Sequence, residues 1–351
     1  MKDADTSKPR IEGDAAFASR CPGRGRRVRI AAALCVLGLW VAHPGLAAED
    51  EPEEMKAVSN RFVATKPTVV MEYTASYSFL FFEFKNVARA TLSGTEGLWR
   101  QSDAGDWIPA CLLCFQTVDA AAAGRRDGSD VKLNKRTVGV ATLPDLHLIT
   151  YVKANDEYVK PLFRAGRRMK YVEVYDFSGG GLDYFHRDLV SGAVDTNLVN
   201  REALARQSRE ISDVLKGLYN AYLSPAARQE VKLEPKAHFT VDGAVQTFDL
   251  YAIRKQVSVP VLGRRVDALD CRLQRQDGSE NQDEAFSMSC VPLRSFAAWK
   301  GARDLQDVAA GSLEWTMVPL SGRLELFIGG IDCTMTNVVV RSGPGLRPAG
   351  D

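Results

Sequence analysis

The chain has few histidines and cysteines, no excess charge of either sign, and no apolar run long enough to cross a bilayer. Four histidines and seven cysteines occur in 351 residues. His147, His186 and His238 are far apart and have no close cysteine partners. That spacing gives no metal site, which needs clustered ligands, and no metal or other cofactor is expected. Lys and Arg total 45 against 44 Asp and Glu, a net charge of +1. A nucleic-acid partner would want a clustered basic excess, so none is expected. The apolar run Ile30–Val41 has twelve residues, where a transmembrane helix needs about 20. The Gly-x-Ser-x-Gly elbow of many serine hydrolases is absent. Gly179-Gly180-Gly181 lacks the lysine and following helix of a phosphate loop and reads as a hairpin loop.

What the chain does have begins at its amino end. Arg24-Gly-Arg-Arg-Val-Arg29 precedes the apolar run, and Gly45-Leu-Ala-Ala48 follows it. Positive charge, a short apolar segment and small residues are the three parts of a secretory signal peptide. Residues 1–48 therefore read as a cleaved leader, cut near Ala47 or Ala48, and the mature chain as periplasmic. A lipid anchor is not expected, because Leu34 stands before Cys35 where a small residue is needed. Without 1–48, the chain keeps 303 residues and a net charge of −3. Residues 49–66 are acidic and lack periodicity, the pattern of a flexible leader. Residues 342–351 read as a disordered tail.

Between them lies a single β-rich domain, 67–341. From Met71 to Phe81, alternate positions are apolar, the period of a half-buried strand. Further strands are read at 87–92, 107–115, 146–152, 169–177, 182–190, 238–241, 245–259, 265–274, 285–292, 312–318, 323–328 and 332–341, separated by polar turns such as Asp242-Gly243. One insertion, 200–223, is helical: Leu204, Ile211, Leu215, Leu218 and Tyr222 mark one face of an amphipathic helix. Ser295–Lys300 reads as a short helix or a loop. Many short strands and one helix predict a mainly β fold, an antiparallel β-barrel or curved β-sandwich with one amphipathic helix packed on it.

In an oxidising compartment cysteines are first suspected of pairing. Cys271 and Cys290 flank the polar stretch Gln274–Gln282, which contains the turn signal Asp277-Gly278, and the hairpin folds about the middle of the connecting segment. A hairpin folded there sets them opposite each other, a disulfide candidate. Cys111-Leu-Leu-Cys114 invites a redox reading, but its flanks favour an extended chain, and residues three apart in a strand point to opposite faces. A structural role, including pairing with Cys333, is the alternative. Asp156, Glu157, Asp176 and Asp183 would approach one another in a meander and could serve as general acid and base. Turn capping is the plainer reading.

The pieces resemble a family of exported Gram-negative envelope proteins known as a domain of unknown function. Tyr77 to Gly94 is similar to its opening strand pair, Asp213-Val-Leu-Lys-Gly-Leu-Tyr219 to its helical motif, and Val245 to Leu273 with Glu314-Trp315 to Val338 to its closing meander. The resemblance spans most of 70–340 and implies an all-β, barrel-like fold and an envelope location. It lends no catalytic residues. Cys111–Cys114 and the Asp156/Asp176 region depart from it. The expected function is a non-enzymatic periplasmic protein holding a lipid, another apolar small molecule or an envelope protein partner in a concavity, with Phe79, Phe81, Phe82 and Phe84 as support. The alternative is a periplasmic enzyme, either an acid-based hydrolase or a thiol oxidoreductase using Cys111 and Cys114.

Overall fold

The computed structural model describes residues 51–79, 82–119, 133–159, 167–179, 181–198, 201–241, 244–275, 286–310, 316–325 and 330–341. The leader, the tail, the Asp242-Gly243 turn and the Asp277-Gly278 turn lie outside the described residues. So do Phe81 and the side chains of Phe79 and Phe82.

Fifteen strands form one sheet, and every pair in it is antiparallel. The first eight are β1 (Phe62–Ala64), β2 (Thr68–Phe79), β3 (Phe82–Trp99), β4 (Ile108–Asp119), β5 (Leu133–Thr142), β6 (Leu148–Val159), β7 (Arg167–Asp176) and β8 (Asp183–Asp188). They are followed by β9 (Val194–Asp195), β10 (Val231–Val241), β11 (Ala244–Val259), β12 (Arg264–Arg275), β13 (Phe286–Pro292), β14 (Met317–Glu325) and β15 (Gly330–Arg341). Neighbours run β10 through β15, then β2 through β9, with β1 pairing the end of β3. The first and last long strands therefore meet in mid-sheet, Val70 opposite Val339.

Helix α1 is Glu53–Asn60 and α2 is Arg201–Leu223, while α3 (Leu293–Lys300) and α4 (Arg303–Ala309) form a pair between β13 and β14. Helix α2 packs on β10–β14 and also touches β6. Six strand spacings separate β14 from β6 in the sheet. At about 4.8 Å each that is roughly 30 Å if flat, while a helix is only about 10–12 Å across. The sheet must therefore curl around α2. Its two flanks agree: Leu215 joins the core of β2–β6, whereas Val214, Leu218 and Ala221 join Leu250, Leu269, Phe286 and Met288. The helix ends where the Arg254 guanidinium takes the carbonyls of Tyr222 and Ser224 and lies over the Tyr222 ring. A cation there satisfies the unpaired carbonyls of a helix C-terminus.

One expectation is corrected. Residues 49–66 are not a flexible leader throughout, since α1 and β1 fall within them. Met55 is fully buried, packed with Val58, Trp99, Val138 and Val152 on the side of β4–β7 away from the main core. Glu51 pairs with Arg136 at 2.9 Å and Glu54 with Arg187 at 2.5 Å. The acidic run bonds to the sheet instead of remaining solvated. Strand β1 reaches β3 because Gly97 has no side chain; a Cβ there would strike the Val63 carbonyl and the Phe62 ring.

Candidate binding cleft and its tyrosine floor

Directly opposed residues on antiparallel neighbours share a face. On β5–β8 this rule groups Lys135, Asn155 and Tyr171, then Lys153, Glu173 and His186, then Tyr151, Tyr175 and Tyr184. They form a stripe of aromatic and charged side chains along one face. Tyr151 also packs against the central core that holds Leu215, and Ala205 of α2 lies against Tyr175, Leu182 and Tyr184.

Its charges are paired. Lys153 meets Glu173 at 2.7 Å, His186 Nδ1 lies 3.5 Å from the same carboxylate, and Lys135 lies 3.1 Å from Glu157. Burial alone would raise the Glu173 carboxyl. Lys153 and His186 outweigh it and hold that pKa at about 2. Two polar groups remain unmatched: the Asn155 amide and the Tyr175 hydroxyl are buried without a hydrogen-bond partner. Burial also pushes the Tyr175 hydroxyl pKa well up, with Tyr151 and Glu173 adding to it.

Tyr151 and Tyr175 stack with centroids 4.2 Å apart, and Phe177 lies 6.4 Å from Tyr151. Phe177 is also a wall of a cleft of about 730 Å3 at this end of the sheet. Three connections build it. The β3–β4 loop supplies Gln101, Ser102 and Asp106, the β5–β6 turn supplies Thr142 and His147, and the β7–β8 turn supplies Phe177 and Ser178. Trp99, Ile108, Leu148, Ile149 and Ala205 also line it, with Gly105 and Gly181. The Gln101 amide donates to the Ser178 hydroxyl at 2.5 Å, joining two of the loops. The third is pinned by Leu146, whose φ of +50° is rare for a bulky residue. Its N–H bonds the Thr142 carbonyl at 2.8 Å, and Thr142 N–H bonds the His147 carbonyl at 2.9 Å.

The carboxylates read as an acid pair do not converge. Asp156 is held by Arg168 through two hydrogen bonds of 2.7 and 2.6 Å. Asp176 and Asp183 oppose each other, but Lys170, the partner of Asp156, lies six residues away along β7. That places Asp156 about 20 Å from them. Glu157 is committed to Lys135, and Asp176 accepts the Ser178 N–H at 2.9 Å. Of the histidines, His147 is at the cleft, His186 in the stripe, and His238 at 3.0 Å from the Thr247 hydroxyl.

All five described cysteines are buried and outside any disulfide. Cys111 and Cys114 face opposite sides of β4, one in the central core and the other beneath α1. Burial, then the nearby Glu96 charge, raise the Cys111 thiol, and burial pushes Cys333 up to about 11. These thiols have the reverse of the thiolate character a redox centre requires. Cys271 and Cys290 are not directly opposed: Cys271 faces Met288, and Cys290 faces Leu269. Their sulfurs are 3.8 Å apart, near each other but unbonded.

The apolar middle of the concavity is closely packed among the described residues. Between Tyr73, Leu92, Phe115, Phe286 and Met288 an apolar gap of only about 40 Å3 remains. Drug-sized ligands occupy about 300–1,000 Å3.

The cleft was not legible in the sequence, because its residues come from three loops separated by long strands. The stripe was missed with β5. In Leu133-Asn-Lys-Arg-Thr-Val-Gly-Val-Ala-Thr142 the face shared with the stripe carries Lys135, Thr137 and Gly139, so no apolar alternation marks the strand. An unpaired buried charge is costly; Lys135 set among strand residues, with Glu157 on the neighbouring strand, was the available signal.

No protein-family model and no curated protein matches the chain. Among solved structures it is similar to a β-barrel-like protein of a domain of unknown function from Brucella abortus, at 9% identity and a TM-score of 0.36, over 80% of this chain and 100% of that one. A likeness this distant transfers no site and no activity.

Proposed function

We propose that this chain is an exported binding protein that holds a small ligand in the loop-built cleft over Phe177. One observation carries the reading: the cleft combines about 730 Å3 of space with apolar walls and convergent polar groups, as ligand sites do. The Tyr151 ring, stacked on Tyr175, backs the Phe177 wall. The export half rests on the Arg24–Ala48 pattern. A lipid sunk in the concavity fits poorly, since helix α2 occupies that space. The enzymatic readings fit less well too. Cys111 and Cys114 lie on opposite faces of their strand, and Asp156 and Asp176 are far apart. Envelope location leaves an envelope protein as the other candidate partner.

Native mass spectrometry of the full chain, purified gently from the periplasm, tests this. The reading expects a retained small molecule in the wild type that is lost in Phe177→Ala and Gln101→Ala. An unliganded wild type, or a ligand unaffected by both substitutions, would contradict it.

A further inference from the structure

We infer that the ligand of this cleft is a neutral saccharide; this rests on the binding reading above. The argument starts from charge. Around the cleft, Gln101, Ser102, Thr142 and Ser178 offer uncharged donors and acceptors, and Asp106 is the one carboxylate. Among the described residues no Lys or Arg lines it. Among these residues a phosphate, carboxylate or sulfate would find only the His147 ring as a cationic partner and would face Asp106. Binding an anion takes charge-assisted hydrogen bonds from Arg or Lys, or a helix N-terminus.

The apolar parts are flat and short. Phe177 stands at the wall, backed by the Tyr151 and Tyr175 rings. Such a plate suits a ring with one apolar side better than a long acyl chain, which would offer the rim amide and hydroxyls no polar partner. Saccharides present dense hydroxyls around the ring edge and C–H groups on its face, the pattern of the cleft in mirror image.

The test uses the full mature chain, with chitotriose and maltotriose as neutral probes, and inorganic phosphate, palmitate and anionic phospholipid vesicles as the alternatives. Isothermal titration and thermal melts read binding. The inference expects heat and a raised melting temperature with at least one neutral trisaccharide and none with phosphate, palmitate or vesicles. It expects at least tenfold weaker binding in Phe177→Ala and in Gln101→Ala, an exposed rim change that leaves the core intact. The exposed Tyr158→Ala variant, on the β6–β7 side, should bind as wild type. Binding of palmitate, phosphate or vesicles instead, weakened by Phe177→Ala, would overturn the saccharide assignment and leave the cleft reading standing. Trisaccharide binding unaffected by either cleft variant would overturn both. No binding of either trisaccharide overturns the saccharide inference, whatever the native mass spectrum shows.

Discussion

Tyr151 and Tyr175 face each other across β6 and β7, their rings stacked at 4.2 Å with an interplanar angle of 13°. The pair links two environments. Toward the loops it supports Phe177 and the cleft; along the strands it meets the Lys153–Glu173–His186 cluster.

Within this pair the Tyr175 hydroxyl has no hydrogen-bond partner. Tyr175→Phe removes an unmatched polar group and keeps the ring, so the unliganded protein should be as stable as wild type or more so. Tyr175→Ala opens a cavity and should cost about 3–5 kcal/mol. Urea unfolding midpoints of both variants measure this. A strongly destabilised Tyr175→Phe would mean that the hydroxyl has a partner.

Glu173 gives a pH dependence with a definite sign. Its folded pKa of about 2 lies below its ordinary value of 4.5. A depressed carboxyl contributes stability above its unfolded pKa, and that contribution is lost as pH falls through the folded value. Stability from this group should therefore decline between about pH 4.5 and pH 2. Glu173→Gln strands Lys153 and should cost about 3–5 kcal/mol at pH 7. Its stability should fall less than that of the wild type across the acid window, measured by denaturant titration at several pH values.

Gly97 should tolerate no side chain. Gly97→Ala pushes β1 away from β3 and should destabilise by about 1–3 kcal/mol. Limited proteolysis should then cut more readily near Thr65. Unchanged stability would mean that β1 does not sit on β3 as described.

The thiols should stay inert in the folded protein. Cys111 should resist an aromatic disulfide reagent at pH 8 until the chain is unfolded, because burial raises its pKa. Cys271 and Cys290 are the exception: with an added disulfide oxidant they should close, since only 3.8 Å separates their sulfurs. Each thiol would lose one hydrogen to a disulfide oxidant, which becomes a dithiol. An intact mass lighter by two hydrogens, restored by reductant and absent in Cys290→Ser, is the expected result.

The fold was largely readable because its strands alternate. Met71, Tyr73 and Ala75 are buried on one side of β2, as their spacing requires. The amphipathic stripe expected over 200–223 matches a helix over Arg201–Leu223. Legibility failed where a residue's partner lies far along the chain. Glu51 and Glu54 look solvated until Arg136 and Arg187 are placed beside them. The Cys271–Cys290 register missed direct opposition by two residues, a shift that keeps both on one face and that the side-chain pattern alone does not specify. The cleft was hidden for the same reason: Gln101 and Ser178 are 77 residues apart and touch only after folding.

Hydrogen–deuterium exchange of the wild-type chain, with and without chitotriose or maltotriose, tests the central claim most directly. The account predicts ligand-dependent protection concentrated in 99–108, 142–149 and 177–182, with little change in β10–β15. Protection centred on the residues around Phe115, Phe286 and Met288, with those three segments unchanged, would contradict it.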